Sequence, residues 1–182
     1  MTTGSLIDAA GCAADASDNL GGGLVLGTLR DGEIAGLATA MAALEPWRAL
    51  GYQPAALAHY WQRPDVGACR IEVRLNARCA GALCVRPRWL CGPFLELLCL
   101  LPQAQGQGVG RRIIDWLATR AAGLGANLWT SVSSTNPRAH AFYRRNGFVE
   151  AARLPQLIAT DADELLLRRH LGNHRPGVED HP

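Results

Sequence analysis

The stretch Leu100-Leu101-Pro102-Gln103-Ala104-Gln105-Gly106-Gln107-Gly108-Val109-Gly110-Arg111-Arg112 decides how the chain is read. Upstream, residues 94–101 form an apolar, β-prone run. Downstream, Ile113, Ile114, Leu117 and Ala121 recur at helical spacing, which predicts a helix over 108–124. The segment is a turn from a strand into a helix. Glycines at 106, 108 and 110 let its backbone take positive φ and approach a ligand closely. The helix start presents N–H groups without intrahelical acceptors and the positive end of a dipole, a combination suited to phosphate. Arg111 and Arg112 add positive charge beside it. Taken alone, the same glycines also suit a tight turn with no ligand. A dinucleotide fold would instead spell G-x-G-x-x-G in an opening β–α–β unit, with an acidic residue about twenty positions later.

Working outward, residues 24–30 read as a strand, Asp31 as a helix cap, and 33–44 as a helix that Pro46-Trp47-Arg48 interrupts. A second helix over 54–62 carries Pro54 in its first turn. Strands at 68–74, 80–86 and 94–101, separated by turns at 76–78 and 89–93, predict an antiparallel meander. After the long helix come a strand at 127–132 and a helix at 137–146, opened by Asn136-Pro137 and closed at Gly147. Strands at 148–152 and 164–169 follow. This order predicts an α/β fold with a mixed sheet. Residues 1–23 are expected to be a flexible leader, 24–171 the folded domain and 172–182 a flexible tail.

The composition narrows the chemistry. A formal charge of +2 over 182 residues gives no footing for nucleic acid. No apolar run approaches the roughly 18–20 residues of a membrane span. The first twenty residues lack the basic start and apolar core of a secretory signal. A cytoplasmic protein is expected. Cys12, Cys69, Cys79, Cys84, Cys91 and Cys99 contain no C-x-x-C pair and are expected to be buried free thiols, with no metal site. All 18 members of the Lys+Arg total are arginine. Without lysine, Schiff-base chemistry and the phosphate-binding lysine of a nucleotide-hydrolysing P-loop are both excluded.

A second segment, Asn136-Pro137-Arg138-Ala139-His140-Ala141-Phe142-Tyr143-Arg144-Arg145-Asn146-Gly147-Phe148, begins 26 residues past Gly110. Together with Gln105-x-x-Gly108-x-Gly110 it resembles the GNAT superfamily of acyl-CoA-dependent N-acetyltransferases, in a bacterial form. That family's signature is Q/R-x-x-G-x-G/A at the head of a long helix, then N-x-x-A-x-x-F-Y-x-x-x-G-F on the next, and every named position is matched. The resemblance covers about 24–171. It implies a central mixed sheet of about seven strands flanked by about four helices, with acetyl-CoA as co-substrate. The acceptor it implies is a primary amine of a small molecule or of a protein N-terminus. An acyl-CoA-binding sensor on the same fold, without turnover, is the alternative. From the charge and hydropathy above, no nucleic acid or membrane partner is expected, and a homodimer is left open.

The resemblance also implies roles for residues. Backbone amides of Gln105, Gly106, Gln107, Gly108, Val109, Gly110 and Arg111 would hold the CoA pyrophosphate. Leu98, Cys99 and Leu100 would pair with the pantetheine arm, and one amide there would polarise the thioester carbonyl. Asn136 would contact the cofactor, cap its helix, or do both. Tyr143 would protonate the departing thiolate; otherwise it is a core aromatic beside Phe142. Glu96 is the one charge in its apolar strand. It is either a general base with a raised pKa or a carboxylate paired with a neighbouring arginine such as Arg86. Cys99 as an acyl-accepting nucleophile is disfavoured because no histidine lies near it in sequence. Trp47, Arg48, Tyr52 and Trp89, with Tyr60 and Trp61, fall where the acceptor cleft is expected. The aromatic rings would stack or simply pack, and Arg48 would pair with a substrate carboxylate.

Overall fold

The computed structural model describes residues 7–8, 11–12 and 16–172. β1 (Ile7–Asp8) and β2 (Gly11–Cys12) form a short antiparallel pair. The main sheet uses β3 (Ser17–Gly21), β4 (Leu24–Thr28), β5 (Cys69–Leu75), β6 (Arg78–Trp89), β7 (Gly92–Leu100), β8 (Asn127–Ser133), β9 (Val149–Ala159) and β10 (Ala162–His170). Their spatial order is β3-β4-β5-β6-β7-β8-β10-β9. Helices α1 (Asp31–Ala42), α2 (Pro54–Gln62), α3 (Val109–Ala121) and α4 (Pro137–Arg145) complete the α/β fold.

Every neighbouring pair in the main sheet is antiparallel except β7 and β8, which α3 joins by a crossover. Side-chain alternation sends the two faces to different helices. On β6, Leu83 and Val85 join the core beneath α3 and α4, where Ile113, Ile114 and Leu117 are fully buried. Ala82 and Cys84 join the core beneath α1 and α2, with Leu37, Met41, Leu57 and Trp61. Truncating a residue such as Leu117 to Ala would cost about 2–5 kcal/mol through lost burial and the cavity left behind.

Several expectations are corrected. The leader expected over 1–23 contains β3, paired to β4 and fastened to α3. Asp18 accepts from Trp116 Nε1 at 3.0 Å and from Arg120 at 2.7 Å. An acidic residue in a polar stretch becomes structural only when a distant helix supplies its partners. The main sheet accordingly has eight strands rather than about seven. Asp31 lies in the first turn of α1, and Arg30 occupies the cap position. The strand expected at 148–152 runs on to Ala159, because the sheet edge tolerates Pro155 and register irregularities. Of the cysteines, Cys79, Cys84, Cys91 and Cys99 are free, but Cys91 is exposed and Cys69 is disulfide-bonded. The expectation for the Cys12 thiol concerns a side chain that is not described, and the flexibility expected of 173–182 lies outside the described residues. Among the described residues no helix is long and apolar enough to cross a membrane.

Candidate active site

The site begins where β7 and β8 part. They pair only at Phe94↔Trp129 and Leu95↔Thr130. Past those levels, the edge of β7 facing β8 has no strand partner. Opposite β6, Cys84 faces Leu97 and Val85 faces Leu95, so Glu96 is an extra, bulged residue. The bulge shifts the alternation: Leu95 and Leu98 both lie toward α3 and α4, whereas Leu97 and Cys99 lie toward α1 and α2.

A cavity of about 550 Å³ opens at this splay. Its walls include Leu98, Cys99 and Leu100 of β7, the turn from Gln105 to Arg111, Tyr143 on α4, and the loop Leu44–Trp47 after α1. Lining thus comes from α3 and α4 on one face of the sheet and from the loop after α1.

The turn is shaped by its glycines. Gly106 and Gly108 have φ of +74° and +75°, and a Cβ on either would meet only open space. Gly108 is the cap residue of α3, with no side chain closing the helix end. The first amides of α3 therefore meet the cavity with the helix dipole behind them. Gly110 serves differently, since a Cβ there would lie 3.1 Å from the Phe142 ring and push α4 away. Gln105 ties the parts together: its amide nitrogen donates to the Leu100 carbonyl at 2.7 Å, and its oxygen accepts from Arg138 at 3.0 Å.

Most of the expected cofactor residues line one cavity: Leu98, Cys99, Leu100, Gln105, Gly106, Gly108, Val109, Gly110, Arg111 and Asn136. Gln107 is not among its lining residues; its side chain donates to the Gln103 carbonyl. Arg112 turns away from the phosphate end and donates to the carbonyls of Leu20 and Gly21. Asn136 lines the cavity and also caps α4, accepting from Ala139 N–H at 3.0 Å. Arg138 and Arg145, seven residues apart on α4, line the cavity too. Sequence reasoning passed over both, although that spacing puts them on one helical face.

Tyr143 is buried at the cavity wall between Phe142 and Phe148. Burial holds its phenol protonated to higher pH than usual, and a hydrogen bond with Thr130 works the other way. Burial likewise pushes the Cys99 thiol up to about 12, which leaves it without thiolate character at neutral pH.

Glu96 does not reach the lining. Its carboxylate accepts from Arg86 Nε and, at 2.8 Å, from the Tyr60 hydroxyl, while Arg86 also grips Asp65 at 2.8 Å. This is the arginine pairing that was the other reading of Glu96. Of the expected acceptor residues, Trp47 lines the cavity. The Arg48 guanidinium is already bound to Glu45 at 2.6 Å, and Glu45 itself faces the cavity. Tyr52 is exposed, and Trp89 packs on Phe94 and Trp129. Trp61 is buried against Met41.

A sequence model of the acetyltransferase (GNAT) family matches residues 10–148. Among solved structures, the fold resembles Ard1 from Thermoplasma volcanium, with TM-score 0.64 and 15% identity, over 81% of this chain and 97% of that one. It also resembles spermidine N-acetyltransferase from Vibrio cholerae, solved in complex with CoA and spermine. There the TM-score is 0.63 and the identity 18%, over 83% of this chain and 97% of the other.

Proposed function

Because the chain belongs to the GNAT acetyltransferase family, we propose that it moves an acetyl group from acetyl-CoA to a primary amine of a small molecule or a protein N-terminus. The observation that carries this reading is a single cavity joining the open helix start, the unpaired edge of β7 and Tyr143. Those features suit the co-substrate. A pyrophosphate matches the free amides of α3, and an amide-bearing arm matches the free edge over Leu98–Leu100. Arg111, Arg138 and Arg145 supply cations for further phosphate charge. Bound acetyl-CoA supplies the activated acyl group. The chain's own groups orient it, and Tyr143 holds a proton for the departing sulfur.

No covalent enzyme intermediate is invoked, consistent with a Cys99 thiol that stays protonated. Glu96 is committed to Arg86 and Tyr60, so we assign it to ordering the corner of α2, β6 and β7 rather than to taking the amine's proton. The related structure with spermine supports a small polyamine as one acceptor class to test. The test is product analysis by mass spectrometry after incubating the chain and acetyl-CoA with amino acids, polyamines, aminoglycosides and short unblocked peptides. An N-acetylated product is expected for at least one class. Tight acetyl-CoA binding with no product from any class would favour the sensor alternative.

A further inference from the structure

Glu164, on β10, is 6% exposed, and among the described residues no cationic side chain pairs with it. Its position follows from register. Leu165 and Leu167 fill the core under α3 and α4, so Glu164 and Leu166 point to the opposite face of the sheet. Glu164 stands opposite Ser133 and Leu166 opposite Ser131, which makes Ser131 the diagonal neighbour of Glu164 on that face. The Ser131 hydroxyl favours the ionised form of that carboxyl. Ser131 is the first residue of β8 past its last pairing with β7, so Glu164 stands one strand over from the splay, near the cavity but not among its lining residues.

Among the described residues, the apolar core cluster on that face is built mainly from α1, α2, β6 and β7, with no member from β8 or β10. β8 offers one residue to each face at the splay. Thr130 favours the ionised form of Tyr143 on the α3–α4 side, and Ser131 favours that of Glu164 on the α1–α2 side.

We propose that Glu164, steadied by Ser131, receives the ammonium group of the acceptor on the α1–α2 face and takes its proton. This rests on the acetyl-transfer reading above. A carboxylate buried without a cation weakens the fold, and a glutamine or leucine would fill the same space without that penalty. A cationic ligand supplies the missing partner. Burial raises the carboxyl above its usual range, which brings it closer to the pKa of the amine it must deprotonate. The groups facing it do not change this picture. Ser131 and Ser133 on β8 and Leu154 on β9 carry no charge. The adjacent Asp163 is bound to Arg153, and Glu96 across the splay is bound to Arg86.

The proton count closes. The ammonium gives one proton to Glu164, and the freed lone pair forms the N–C bond as the C–S bond breaks. The electron pair leaves on sulfur, which takes the phenol proton of Tyr143. The nitrogen's surplus proton returns through water to Tyr143. Glu164 then releases its proton to solvent, so each transfer liberates one.

The test is steady-state thiol release from acetyl-CoA with the same amine panel, on wild type, Glu164→Gln, Glu164→Asp and Ser131→Ala. Glu164→Gln should lower kcat/KM for the amine at least about a hundredfold while acetyl-CoA affinity stays within about twofold. Its melting temperature at neutral pH should equal or exceed that of wild type, because a buried charge is removed. Glu164→Asp should fall between the two in rate. Ser131→Ala removes the hydroxyl that favours the ionised form, so the acid limb of its kcat/KM profile should move to higher pH. An unmoved limb would overturn the proposal even if Glu164→Gln failed to fold. If wild type turns over and Glu164→Gln keeps kcat/KM within about threefold, Glu164 is not the base and the acetyl-transfer reading stands. If wild type releases no thiol with any amine, both fall together.

Discussion

The two halves of the cleft are built from different materials. On the α3–α4 side, the half proposed for the cofactor is mostly backbone: open amides at the start of α3, glycines at positive φ, and the free edge of β7. On the α1–α2 side, the half proposed for the acceptor is mostly side chains: the loop Leu44–Trp47 at the cavity and, in the proposal above, Glu164 on β10. A backbone site is specified locally, because a few glycines set its geometry. A side-chain site depends on sheet register and on loops distant in sequence. The two halves should therefore fail separately. Damage to the first should appear as lost acetyl-CoA affinity, and damage to the second as lost turnover with affinity kept.

The largest expected effect lies at the junction of the halves. Tyr143→Phe should lower kcat by about a hundredfold or more while leaving acetyl-CoA affinity within about twofold, as measured by thiol release and calorimetry. Equal turnover in the variant would remove Tyr143 from the acid role. Next is Gly108→Val, which forces a β-branched residue to φ near +75° at the open helix start. Acetyl-CoA should bind at least about tenfold more weakly and lose most of its protection against thermal unfolding. Full protection would move the pyrophosphate elsewhere. The smallest expected change in rate is at Glu96→Gln. Breaking a half-buried ion pair should reduce stability by about 1–3 kcal/mol, with kcat changed less than about fivefold. A fall in kcat of about a hundredfold at unchanged melting temperature would return Glu96 to the base role.

The contrast between the halves also explains what was legible in the sequence. The turn from Gln105 to Arg111 and the segment from Asn136 to Phe148 could be read because each motif sits on one continuous piece of chain. The alternation of strands and helices gave the fold class for the same reason. Arg112 looked like a phosphate ligand until β3 supplied its carbonyl partners, and no local pattern joins residue 112 to residue 20. Glu96 could be narrowed to two readings, but the bulge that aims it at Arg86 and Tyr60 is a property of pairing with β6. Arg48 was free on paper, yet Glu45 lies three residues away and takes it. Glu164 passed unnoticed in an ordinary strand. Its burial, and its place beside Ser131, exist only once β10 pairs with β8.

The most direct test of the account places calorimetric binding of acetyl-CoA beside thiol release on one preparation of the wild-type chain. The expected result is acetyl-CoA binding together with thiol release that depends on an added primary amine. Acetyl-CoA binding with no release from any amine class would contradict catalysis and leave a protein that only holds the thioester.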